Sequence, residues 1–184
     1  MFYFLLLNLC YMSRLTKDDW LNEGFRILQE FAQNKIRILY LCERLKVTRG
    51  SFYHHFKSID DYILTLLKKW EKDNTIALIQ TANKVTQGEE QAQVLGKMVV
   101  SINKSIEVAI RSWSHYNSIV KEYLDKVDKI RLSYLESIGE KLGLSPEQAT
   151  KRAQFEYALL VGMQHLFPHM DEASMLALFT VNRE

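Results

Sequence analysis

Leu41-Cys42-Glu43-Arg44-Leu45-Lys46-Val47-Thr48-Arg49-Gly50-Ser51-Phe52-Tyr53-His54-His55-Phe56 is the stretch that decides the fold. The apolar period predicts one helix over about Ile38 to Leu45, and Thr48 is a residue type that caps a helix N-terminus. A second helix, about two turns long, therefore starts almost where the first ends, with Arg49, Gly50 and Ser51 in its first turn. Phe52 and Phe56, four apart, share its inner face, while Arg49, Ser51, His54 and Lys57 point the other way. Two short helices joined across a tight Lys46-Val47 connection form a helix-turn-helix, whose second helix enters the major groove of DNA. Gly50 removes bulk where the start of that helix would meet a backbone.

Charge supports the same reading. Between Lys35 and Lys57 stand six cations, Lys35, Arg37, Arg44, Lys46, Arg49 and Lys57, against the single acid Glu43. A basic run by itself is often no more than a solvated helical face, but in a helix-turn-helix frame it suits phosphate. Tyr53 and His54 sit mid-helix, where base edges and phosphates are reached. The candidate DNA contacts are Arg37, Thr48, Arg49, Gly50, Ser51, Tyr53, His54 and Lys57. Adjacent helical residues point about 100° apart, so His54 and His55 make a poor metal pair, and His55 is assigned a structural role.

Working outward, Thr16 reads as an N-cap with Asp19 three residues on, opening a helix whose inner face is Leu21, Phe25, Leu28 and Ala32. Ser58 caps a fourth helix with Asp60 and Asp61 in its first turn and Tyr62, Ile63, Leu66, Leu67 and Trp70 as its stripe. The pattern then stays helical: a break near Gln87-Gly88, a segment from Glu89 through Val108, helices near 106–116 and 119–142, and a stop at Gly143. Ser145, Pro146 and Gln148 make a capping box with proline at its favoured place, opening a helix to about Phe167; a short last helix follows Pro168. With 7 Gly and 2 Pro in 184 residues, 47% of them hydrophobic, turn residues are scarce. The expectation is an all-α chain of about nine helices, a three-helix DNA-binding unit followed by a larger helical body.

The stretch from Leu41 to Phe56, continued by Lys57-Ser58 and preceded at the right distance by the capped first helix, resembles the tetracycline-repressor (TetR) family over about Leu15 to Trp70. Ala109-Ile110-Arg111-Ser112-Trp113 and 127–132 look, more weakly, like regulatory segments of some members. Two positions depart from the family pattern: Lys46 stands where the turn usually has Gly, and Ile59-Asp60-Asp61 replaces a basic, phosphate-contacting start of the fourth helix. The resemblance implies a homodimer, a double-stranded DNA operator of pseudo-palindromic form, and repression released by a small-molecule inducer. Family dimers are built from the last long helices, and here the helix through Phe155–Phe167 is apolar nearly all round, so Tyr157, Leu160, Val161, Gln164 and Phe167 are the interface candidates. The inducer pocket is expected among Met98, Ile102, Ile110, Trp113, Tyr116, Tyr134 and Gln164, apolar groups with a few polar tips that suit a neutral, partly hydrophobic ligand.

Other classes fit less well. The sequence has no glycine-rich phosphate loop, nucleophile elbow or paired metal motif, so no enzyme, cofactor or metal is expected; His115, His165 and His169 are scattered. Cys10 and Cys42 make no disulfide framework and point to a reducing compartment, the cytoplasm. Residues 13–70 carry 11 Lys/Arg against 7 Asp/Glu and residues 71–184 carry 13 against 15, so the positive charge lies at the front. The apolar run at residues 1–12 is too short to span a bilayer and lacks the basic start and small-residue cleavage site of a signal peptide. It reads as an extension or as sequence ahead of a natural start at Met12. The expected division is then 1–12 extension, 13–68 DNA-binding domain and 69–184 ligand-binding and dimerisation domain. The rival from another class is a helical small-molecule or lipid carrier, or a partner-binding module, whose helix-turn-helix no longer works.

Overall fold

The computed structural model describes residues 15–179; the extension expected at 1–12 lies outside them. All regular structure among these residues is helical. Helix α1, Lys17–Phe31, opens with the capping box read from the sequence: the Asp19 amide donates to Thr16 Oγ1 at 3.2 Å and the Thr16 amide to Asp19 Oδ2 at 2.7 Å. A short 3₁₀ turn, Ala32–Lys35, leads to α2, Ile38–Leu45, and α3, Arg49–His55. Lys46 ends α2 in the left-handed conformation at φ 56°, ψ 41°, and the Val47 amide closes the turn on the Cys42 carbonyl at 2.9 Å. That backbone explains the family's usual glycine at this place, since a side chain there costs roughly 1–2 kcal/mol. Thr48 occupies the N-cap with extended backbone, but its hydroxyl makes no capping bond.

Helix α4 runs without interruption through Ile59–Glu71, a π turn at Lys72–Ile76, and Ala77–Ala82. Ser58 caps it, and Asp61, one of the acids that replace the family's basic start, accepts the Lys57 amide at 2.9 Å. Under α3, four rings lock the head together: Phe52 lies 5.5 Å from Trp20 and 5.2 Å from Phe56, and Tyr62 lies 5.0 Å from Phe56, with Trp20 and Tyr62 edge-on to their partners. The Tyr62 hydroxyl donates to the Trp20 carbonyl at 2.9 Å. A Cβ at Gly24 would come within 2.1 Å of that hydroxyl, so the approach of α1 to α4 requires glycine there.

The body comprises α5, Gly88–Val100; α6, Lys104–Ser114; α7, Ser118–Lys141; α8, Pro146–Leu166; and α9, Glu172–Leu178. The single segment expected from Glu89 to Val108 is in fact two helices. Asn103 breaks it, its side-chain oxygen capping the Ser105 amide at 3.1 Å. Gly143 ends α7 at φ 85°, and the Ser145/Gln148 box opens α8 as read. The largest core joins α1–α4 to Ala109, Ile110 and Trp113 of α6 and to Val120, Leu124 and Val127 of α7; smaller cores form around Ala82, Leu95 and Ile138 and around Val100, Met163 and Met175. Head and body therefore share side chains, and α4 passes straight through the boundary expected at 68/69.

Candidate functional site

The outer face of α3 is bare. Thr48, Arg49, Gly50, Tyr53, His54 and Lys57 are exposed and Ser51 half-buried, with Tyr53 leaving more than half its surface to solvent. Phe52 and Phe56 behind them are at most 1% exposed, so the helix is held rigidly on one side and offered on the other. Arg37, at the N-cap of α2, is exposed as well. Among the described residues nothing requires glycine at position 50: a Cβ would meet only Thr48 Oγ1, at an ordinary 3.6 Å. Its lack of bulk has value only towards something outside the protomer.

Two of the six basic residues are not exposed on this face: Lys35 is half-buried with its ammonium over the Tyr40 ring, and Arg44 is paired. Arg44 is held by Glu23 at 2.7 Å and, through both terminal nitrogens, by Glu30 at 2.6 and 2.9 Å. It ties α2 to α1, and its hydrogen bonds hold the Glu30 carboxyl below the usual carboxylate range. Arg37, Lys46, Arg49 and Lys57 remain as exposed cations.

A second feature lies further along α4. A cavity of about 350 Å³ opens between the lower half of α4, α5, α7, α8 and α9. Leu78, Leu95, Val99, Ile138, Leu160 and Leu176 give it aliphatic walls; Thr75, Glu107, Arg131, Tyr134, Tyr157 and Gln164 bring polar groups to it. Arg131 and Glu107 pair at 3.0 Å, both nearly buried. Arg131 also donates to Thr75 Oγ1 at 2.9 Å, the Tyr157 hydroxyl at 3.3 Å and the Asn74 carbonyl at 3.3 Å, while Glu107 takes the Trp70 indole N–H at 2.6 Å. Behind this pair, Arg111 grips Asp128 with two bonds of 2.9 Å, and both meet the Tyr157 hydroxyl. Burial pushes that hydroxyl up to about 12, against the pull of Arg131 and Arg111. The cluster thus links the cavity wall to Trp70 and to the π turn, on the helix that carries the head. Among the described residues no group of three or more His, Cys, Asp or Glu could hold a metal ion, and no helix is long and apolar enough to cross a membrane.

No family model matches the sequence, and no curated protein matches it. Solved structures do. A transcriptional regulator from Rhodococcus sp. Rha1 superposes with a TM-score of 0.75 at 13% identity, over 89% of this chain and 91% of that one. A TetR-family transcriptional regulator from Marinobacter aquaeolei VT8 gives 0.69 at 12% identity, over 88% and 84%. The chain has the TetR-family fold. AibR, solved with isovaleryl coenzyme A and operator DNA, gives 0.68 at 10% identity, over 89% and 95%.

Within the TetR-like fold the helix-turn-helix residues come together as read, but several body residues do not. Of the pocket candidates, Ile102, Tyr134 and Gln164 line the cavity; Met98 packs beside Leu95 and Ile138 without lining it. Ile110 and Trp113 are buried in the core shared with the head, and Tyr116 is 83% exposed at the end of α6. Their polar tips suggested a pocket, but α6 turns its apolar face to α1 and α4. The interface candidates on α8 are also rearranged. Tyr157, Leu160 and Gln164 face inward to the cavity, drawn by the Arg111–Asp128–Arg131 cluster, while Val161 is half-buried. The stripe turned away from the cavity is Phe155, Leu159, Gly162 and Leu166, with Phe167 just beyond; Phe155, Leu166 and Phe167 are among the most exposed large apolar side chains, while Gly162 is half-buried and Leu159 packs partly against the Val100, Met163 and Met175 core. Sequence reasoning gave neither Glu107 nor Arg131 a place in the pocket, although Arg131 lies in the 127–132 segment, since single charges in amphipathic helices look like surface residues.

Proposed function

We propose that the protein is a homodimeric, sequence-specific DNA-binding transcriptional regulator, working in the cytoplasm and without enzymatic activity, that a small molecule releases from a pseudo-palindromic operator. The bare face of α3, with Arg49, Tyr53, His54 and Lys57 projecting from an aromatic platform, is the observation that carries it. Residues 13–68 read DNA, and residues 69–184 hold the ligand and the partner subunit. AibR, whose structure contains both an acyl-coenzyme A and operator DNA, supports the pairing of a body ligand with a DNA-binding head. A ligand that fits the cavity better when the heads are splayed lowers DNA affinity by that difference in affinity and no more.

One recognition helix per chain is too small a contact to bind tightly alone, which calls for two heads. The stripe Phe155, Leu159, Gly162 and Leu166, at i, i+4, i+7 and i+11, is the surface on which a second copy would cover the apolar side chains. A Cβ at Gly162 meets nothing within 4 Å among the described residues, so the side chain of Gly162→Glu has room to leave the helix and should break the dimer. A monomer by sedimentation, with DNA binding intact, would count against this architecture.

The decisive experiment is a titration of genomic fragments selected by the protein, at several salt concentrations. Affinity should fall steeply with salt; Arg49→Ala and His54→Ala should each cost roughly 1–3 kcal/mol and relax sequence preference, and Lys57→Ala should weaken all sequences alike. A flat salt response would favour the carrier reading, which shares the cavity but has no use for the α3 face.

A further inference from the structure

Of the polar side chains in the cavity lining that are themselves buried, Thr75, Glu107 and Tyr157 are bonded within the chain and Gln164 is not. Arg131 has five N–H donors, and the five bonds to Thr75, Tyr157, the Asn74 carbonyl and the two oxygens of Glu107 occupy all of them. Glu107 in turn accepts from both Arg131 and Trp70. The Tyr134 hydroxyl is bonded to Asn83 and Gln91, and that of Tyr157 to Asp128. At the rim, Arg152 and Glu156 pair at 2.9 Å. Gln164 is different: it lines the cavity at 3% exposure, and its amide makes no hydrogen bond to any described residue. Its amide opens onto the cavity and can bond whatever occupies that space.

Charge and size narrow what that occupant is. A carboxylate seated on Arg131 would have to displace Glu107, and a cation seated on Glu107 would have to displace Arg131; either leaves a buried charge without its counter-ion. Lys97 also lines the cavity but is exposed to water, where an ion pair with a ligand carboxylate gains little. A volume of about 350 Å³ lies at the small end of the range for ligand pockets. We propose that the cavity binds a small uncharged aliphatic molecule with one carbonyl or hydroxyl group, whose oxygen hydrogen-bonds the Gln164 amide while its carbon chain lies against Leu78, Leu95, Val99, Ile138 and Leu176. This names the ligand class within the regulator reading and rests on it for its biological meaning, not for its chemistry.

The test uses the full chain without DNA and four probes of similar length: heptyl methyl ketone, nonane, octanoate and octylammonium, each titrated by calorimetry and by thermal shift. The ketone should bind at least about tenfold more tightly than either charged probe. Gln164→Met, close in shape, should weaken the ketone about tenfold without weakening nonane. Gln164→Glu serves as the second variant and should shift preference from the ketone to octylammonium. Tighter binding of octanoate or octylammonium to the unaltered protein, ketone affinity unchanged in both variants, or no binding of the ketone up to its solubility would each overturn the assignment. Operator release is measured separately. Ketone binding with no effect on DNA would sink the regulator reading and leave the ligand class standing; release by octanoate alone would do the reverse.

Discussion

Helix α4 borders two regions built on opposite plans. Along its first half, Tyr62 and Trp70 close a core in which Trp20, Phe52 and Phe56 fill the space ring against ring. Along its second half, Thr75 and Leu78 face a cavity of about 350 Å³, and the nearest strong interactions are ion pairs and hydrogen bonds, not packing. A reading surface has to hold its side chains within a fraction of an ångström of their targets, which close packing provides. A region that accepts a guest must keep apolar space open, and polar bonds of fixed geometry can hold helices apart without filling the gap between them.

Truncation in the two regions is the sharpest way to break that contrast. Phe52→Ala should cost about 3–5 kcal/mol in urea unfolding and abolish DNA binding, whereas Leu95→Ala, beside space that already exists, should fall near the low end of the 2–5 kcal/mol range for buried leucines. Equal costs would mean the cavity is closed in solution. Next, Arg131→Ala should cost about 3 kcal/mol, because Glu107 is left buried without its cation, while Arg131→Met combined with Glu107→Gln should recover most of the loss and keep the Trp70 hydrogen bond. If the double variant is no better than the single one, the pair's value lies in packing.

Gly50→Ala acts in opposite directions on the head's two properties. An alanine in the first turn of α3 should stabilise the fold by about 0.5–1 kcal/mol, yet weaken DNA binding by placing a methyl group where a backbone approaches. Unchanged DNA affinity would remove Gly50 from the interface. The smallest effect concerns Glu71, where α4 meets α7. Burial pushes its carboxyl up, but hydrogen bonds from Lys126 and Tyr123 outweigh this and hold it below its ordinary 4.5. A depressed carboxyl contributes stability above the unfolded value of 4.5 that is lost as pH falls through the lower folded value. The gap in urea midpoint between the unaltered protein and Glu71→Gln should therefore shrink on acidification below that point; a constant gap would contradict the assignment.

The head was legible in the sequence because its instructions are local. Thr16 with Asp19, Ser58 with Asp61, and Phe52 with Phe56 act over three or four residues, and each does in space what its spacing announces. The Ser145/Gln148 box is equally local and equally faithful. The orientation of α8 was not legible, because a helix apolar on every side gives no period to follow. Tyr157 and Phe155 lie about 200° apart on it, and what selects Tyr157 for the interior is a pair of arginines on α6 and α7. The same holds for α6: Trp113 and Tyr116 look alike in sequence, and only the position of the head buries one and exposes the other. Of the cavity candidates, Ile102, Tyr134 and Gln164 line it; Leu78 and Leu176, from α4 and α9, had no signal that could have joined them, and Leu160, one turn before Gln164 on α8, reads from the sequence as an interface residue.

The π turn at Lys72–Ile76 contains one more residue than a regular helical turn would use. Trp70 and Thr75, five apart, are both buried across it. Removing any one residue from that turn would let α4 close into an unbroken α-helix, with both halves still well formed. The head would then be turned by about 100° about the helix axis relative to the body. In the proposed dimer the two α3 faces would no longer meet successive grooves, although every residue of that face and, where Lys72 or Asp73 is the one removed, of the cavity was still present. The phase between reader and sensor is in this sense a single-residue property, carried by a segment that touches neither the DNA face nor most of the cavity wall.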